Sequence, residues 1–133
     1  MWISRIDPAQ GKLTERTDWF PGGPVHQQNL VEPVEEGELS ALSVSFAAGA
    51  RTRPHVHPVD QLLYVVDGLG ILATDAEKRY IRAGDWVRIP AGTWHWHGAT
   101  PEQSMVHVSI KQFGPTDWTS EWRDWETYEE GAE

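Results

Sequence analysis

The sequence predicts an all-β domain, a single barrel or sandwich of short strands. Three observations predict it. Segments that alternate apolar and polar residues recur along the chain. Gly, Pro and Asp-Gly turn signals separate these segments at close spacing. The 133 residues include no cysteine, so one core must hold the chain without disulfides.

Residues 1–30 are mixed, with a turn-rich break over Asp18-Trp19-Phe20-Pro21-Gly22-Gly23-Pro24. Val25 to Val31 reads as a short strand, closed off by Pro33. Leu39 to Phe46 alternates, with Leu42, Val44 and Phe46 on one face and Ala41, Ser43 and Ser45 on the other. Gln61 to Val66 is the next strand. Asp67-Gly68 reads as a hairpin turn, with Leu69 to Thr74 returning. Strands are expected again at Lys78–Arg82, Trp86–Ile89, Trp94–His97 and Ser104–Gln112. From residue 114 to 133 the chain reads as a C-terminal arm or short helix of the same single domain. Trp118, Trp122 and Trp125 stand at i, i+4 and i+7 there, a face to pack on the barrel.

Charge bounds the function. The formal net charge is −9, and the tail from Thr116 carries seven acids against the single base Arg123. No basic patch is present, which argues against nucleic-acid binding. Met1-Trp2-Ile3-Ser4-Arg5 does not begin a signal peptide and no run reaches membrane-spanning length, so a soluble, cytoplasmic protein is expected. Eight tryptophans suit packing or an oligomer interface.

The chemistry lies between Gly49 and Ala99. On a strand, i and i+2 share a face, so His55 and His57 project two imidazoles together. Gln61, Leu63 and Val65 share a face, as do His95 and His97, with Trp94 and Trp96 opposite. A barrel interior holding His55, His57, Gln61 and His95 places three nitrogens and an amide oxygen around one divalent ion. Imidazole suits Mn, Fe, Co, Ni, Cu and Zn, and the amide oxygen favours the harder, six-coordinate ions. Three buried imidazoles without an ion would need other partners. His26 stands alone and reads as a surface or strand histidine. Arg51, Arg53 and Asp60 flank the ligands and read as solvated charges, with Thr52 at the pocket rim.

The first part reads G-x5-H-x-H-x3-Q-x6-G from Gly49 to Gly68, and the second G-x5-P-x-G-x2-H-x3-A from Gly84 to Ala99. These resemble the two motifs of the cupin superfamily. Two positions depart, with Gln61 for the usual glutamate and Ala99 for the usual asparagine. The resemblance implies a jelly-roll β-barrel, metal ligation by His55, His57, Gln61 and His95, and homodimers or higher homo-oligomers through the outer sheet face.

Asp18-Trp19-Phe20, the H-x-H-x3-Q run, Trp94-His95-Trp96-His97-Gly98-Ala99, Met105-x-His107 and Asp117-Trp118 follow in the order seen in bacterial cupin-type hydroxynitrile lyases. That similarity implies manganese, a small-molecule substrate, and His97 and His107 in the pocket. His107 is then the candidate general base, His97 its helper and Lys111 a second candidate. On its strand His107 shares the mixed face with Met105, Ser109 and Lys111, opposite apolar Val106, Val108 and Ile110. The mixed face lines a pocket only if the apolar face packs on a partner or on the arm. Three neutral histidines and Gln61 leave an ion its full +2 charge, which favours Lewis-acid work over oxygen chemistry. Oxygen-dependent cleavage, sugar isomerisation and ligand binding without catalysis are the competing functions.

Overall fold

The computed structural model describes residues 1–118. The expectations for Trp122, Trp125 and the rest of the arm lie outside the described residues. Eight strands form, β1 Lys12–Leu13, β2 Val25–Val31, β3 Leu39–Phe46, β4 Gln61–Thr74, β5 Lys78–Arg82, β6 Trp86–Ile89, β7 His95–Ala99 and β8 Met105–Gln112. A single 3-10 turn, Pro8–Gln10, is the one helical element among the described residues. All strand pairing is antiparallel, in the order β1-β2-β3-β8-β4-β5, with β6 and β7 also on β4.

β4 builds the barrel. Its first part, Gln61 to Gly68, pairs with β6 and β8. Its second part, Leu69 to Thr74, pairs with β5 and β7. Asp67-Gly68 therefore bends the chain and does not reverse it, contrary to the hairpin expected from the dipeptide. The register against β8 slips between Val65 and Asp67, and Gly68 takes a φ of 86°. Such a bulge sharpens strand twist without ending the strand. The backbone of β8 crosses directly over it, and a side chain at Gly68 would meet the Ser104 carbonyl. β4 thus passes from one sheet to the other and closes the two over a shared interior.

Alternation decides what fills that interior. Val44, Phe46, Val65, Ile81 and Met105 form its main cluster, and Ile71, Ala73 and Trp96 a second one. β8 runs against the simple rule. Its mixed face, with Met105, His107 and Ser109, is buried, while Val106, Val108 and Ile110 turn outward and are half-buried. This mixed face stands beside Leu42, Val44 and Phe46 of β3 in register, and the two strands together line one cavity. Lys12–Leu13 was not expected, since two residues carry no alternation to read.

Candidate metal centre

Residues 51–57 lie along β7 and bring the first histidine pair to the second. Arg51 bridges Gly98, and His55 exchanges both backbone hydrogen bonds with His95, at 2.9 and 3.0 Å. Gly98 permits this approach, because a side chain there would collide with Arg51. The ring centroids of His55 and His95 are then 4.4 Å apart, with His57 at 5.0 Å from His55 and 5.4 Å from His95. All three rings are buried, and so is Gln61 at the start of β4.

Their outer atoms are already committed. Nδ1–H of His55 donates to the Arg53 carbonyl and Nδ1–H of His95 to the Thr93 carbonyl, each at 2.8 Å. A carbonyl only accepts, so each ring keeps a bare lone pair on Nε2. His57 Nδ1 meets the Thr116 hydroxyl at 3.1 Å. The Gln61 amide donates to Ser109 Oγ at 2.7 Å, which leaves its Oε1. His57 Nε2, Gln61 Oε1 and His95 Nε2 are buried without a partner. Buried polar atoms are rarely left so. Three ring nitrogens and an amide oxygen with outer-shell hydrogen bonds are a donor set that fits a divalent cation.

Electrostatics agree with that donor set. Burial, then the neighbouring His95 and His57, hold His55 well below its ordinary range. Burial foremost lowers His57 to about 3 and His95 to about 4. The rings are neutral at pH 7, as ligands must be.

His97 and His107 form a second pair beside this group. His107 Nε2 and His97 Nδ1 share a hydrogen bond of 2.9 Å, and His97 Nε2 and His107 Nδ1 are buried and unpartnered. Burial holds His97 well below its ordinary range and lowers His107 to about 4. The expected inward placement of both histidines is what the structure has. His97 comes closer to the centre than the spacing suggested, since one ring nitrogen each from His55, His95 and His97 lie within 4.8 Å of one another.

Above the rings is a cavity of about 210 Å³. Phe20, Phe46 and Trp118 give it aromatic walls, and Ser109 and Lys111 stand at its polar side. Trp118 stacks on His55 at 4.3 Å and on Trp19 at 4.9 Å. The reading of Arg51 as a solvated charge is overturned. It is 5% exposed, with its guanidinium carbon 4.8 Å from the Trp96 ring centroid. The approach of residues 50–51 to Gly98 buries it, a constraint that charge alone does not reveal. Asp60 is exposed and pairs with Arg88 at 2.9 Å, and His26 is exposed. Thr52 is buried, lines the cavity and accepts from the His97 backbone N–H at 3.2 Å. Thr116 and Phe20 went unassigned as site residues in the sequence. Only Ser109 carried a signal there, its shared face with His107.

A cupin-domain family model matches residues 42–111. The chain belongs to the cupin family. Among curated cupin relatives, the (R)-mandelonitrile lyase of Granulicella tundricola is 36% identical over 114 residues, covering 84% of this chain and 85% of the relative. An acireductone dioxygenase of Synechococcus is 29% identical over 75 residues, 52% of this chain and 37% of that one. Among solved structures, a cupin-like protein of Thermotoga maritima superimposes with a TM-score of 0.76 at 34% identity, covering 82% and 84% of the two chains. Among the described residues of this cupin, no helix is long and apolar enough to cross a membrane.

Proposed function

We propose that this cupin is a divalent-metal lyase of the hydroxynitrile-lyase type, cleaving or forming a cyanohydrin, with manganese as the ion. His55, His57, Gln61 and His95 hold the metal. The observation that carries this reading is the set of buried, partnerless donor atoms, His57 Nε2, Gln61 Oε1 and His95 Nε2, together with the bare Nε2 of His55, on three histidine rings whose centroids lie 4.4–5.4 Å apart. The 36% identity to a mandelonitrile lyase supports the reaction class.

When bound, the divalent ion supplies a Lewis acid with its full +2 charge, since all four ligands are neutral. The chain's own part is proton handling. Two neutral imidazoles joined by one hydrogen bond leave one lone pair and one N–H at their outer ends. If His107 Nε2–H donates to His97 Nδ1, the base is His107 Nδ1. If the bond runs the other way, the base is His97 Nε2. In either arrangement the pair can accept the hydroxyl proton of a cyanohydrin and return it to the departing cyanide. Phe20, Phe46 and Trp118 exclude water and hold the organic group.

The test is cyanide release from mandelonitrile by the manganese-loaded chain. Release that a chelator abolishes is expected; a fully metal-loaded protein that releases none would sink the proposal. The match to an acireductone dioxygenase favours oxygen-dependent cleavage as a second reading, and oxygen uptake by the iron-loaded chain separates the two.

A further inference from the structure

The cavity has a charge that cyanohydrin chemistry does not use. The chain carries 20 acidic residues and a net charge of −9, yet no Asp or Glu lines the cavity among the described residues. The charged side chain that does line it is Lys111, about half-buried. No ion pair ties Lys111 to an acid among the described residues.

The neighbours of Lys111 are ordered along one strand face. His107, Ser109 and Lys111 alternate on β8 and all border the cavity. Their spacing is about 7 Å per step along the strand. Ser109 Oγ accepts from the Gln61 amide, so its own O–H remains to donate. The row therefore runs from an imidazole through a hydroxyl donor to an ammonium. A cavity of about 210 Å³ is below the usual range for drug-sized ligands, so the occupant is small.

We propose that Lys111 and Ser109 form an anion subsite, so that this cupin takes a small monocarboxylate whose apolar or aromatic body lies against Phe20, Phe46 and Trp118. The carboxylate accepts from the Lys111 ammonium and the Ser109 hydroxyl, and the rest of the molecule extends along β8 toward His107. Lys111 is here a specificity-determining residue and not a base. This deepens the lyase reading by naming a substrate class, and rests on that reading only for which end reacts.

The test reads binding, not turnover, so it can fail independently of the cyanide assay. Phenylacetate and its neutral isostere phenylacetamide are titrated calorimetrically into the full chain, metal-free and manganese-loaded. Phenylacetate is expected to bind at least tenfold tighter in both forms. Lys111→Met should weaken phenylacetate about tenfold and leave phenylacetamide within twofold, while Lys111→Arg keeps the preference. Thermal melts confirm that each variant is folded. Equal affinity for the two probes, or no measurable binding of phenylacetate, overturns the proposal. So does a preference that needs the metal and survives Lys111→Met, because the ion alone then holds the carboxylate.

Discussion

His107 Nε2 and His97 Nδ1 lie 2.9 Å apart, and the outer nitrogen of each ring is buried without a partner. The pair sits between the aromatic wall at Phe46 and the group around His55. Positioned general acid–base groups contribute about 10²–10⁴-fold in rate. His107→Ala is therefore expected to lower cyanide release from mandelonitrile at least a hundredfold with metal content unchanged. Stopped activity together with lost metal would instead make His107 part of the metal cage.

His97 needs its own measurement, because one nitrogen of its ring lies within 4.8 Å of a ring nitrogen of His55 and of one of His95. As a ligand it must present Nε2 bare, which requires Nδ1–H to donate to His107. The four-ligand reading expects His55→Ala, His57→Ala and His95→Ala each to lose most bound manganese by elemental analysis. His97→Ala should keep it and lose activity. Loss of metal in His97→Ala with retention in His57→Ala would replace His57 by His97 in the set.

The buried histidine cluster was legible in the sequence where its spacing is local. His55 and His57 share a strand face, and their turns are marked by glycine and proline. Strand existence was equally legible where alternation ran long, as in β2 and β3. Asp67-Gly68 misled because a left-handed glycine serves a bulge as well as a turn, and only the passage of β8 over Gly68 decides between them. Arg51 and Thr116 were not legible. Burial of the first depends on contact with Gly98, and the role of the second on a hydroxyl 59 positions from its partner.

The metal-free chain should lose stability as pH falls from about 6.5 to about 4. His107 has an ordinary pKa of 6.5 that burial lowers to about 4. Between those values the unfolded chain binds a proton that the folded chain does not. Stability therefore rises with pH across this window and is lost as pH falls through it. The full shift corresponds to on the order of 3 kcal/mol for this residue. His57 and His95, lowered to about 3 and about 4, act in the same direction. The melting temperature should be level above pH 7 and fall between pH 6.5 and 4.5, with a shallower slope in His107→Gln. A level profile from pH 7 to 5 would contradict the assignment.

An oligomer through the outer sheet face is expected from its surface. Trp86 is 63% exposed and packs on Tyr64 at 4.6 Å, with Leu62 and Val66 exposed on the same face of β4. Val108 and Ile110 continue that face on β8. A contiguous apolar patch of this kind marks an interaction surface. Light scattering should give a mass of at least two chains, and Trp86→Glu should shift it toward one without altering metal content. A monomeric wild type at micromolar concentration would remove this face from consideration.

Thr116 and Ser109 hydrogen-bond two of the proposed ligands, His57 and Gln61, and their loss should read out in metal affinity before it reads out in fold. Thr116 Oγ1 meets His57 Nδ1 at 3.1 Å, and Ser109 Oγ receives the Gln61 amide at 2.7 Å. Removing such outer-shell partners costs about 10–100-fold in metal affinity or activity. Thr116→Val is expected to weaken manganese binding about tenfold with a melting temperature of the metal-free chain within a few degrees of wild type. Gln61→Glu tests the same arrangement from the ligand side. It keeps an oxygen toward the centre, removes the N–H that Ser109 accepts and adds one negative charge. Manganese should bind more tightly and cyanide release should fall at least tenfold, since the ligand set then carries −1 where Gln61 leaves it neutral. Unchanged release in Gln61→Glu would mean that the neutral ligand set does not govern the reaction.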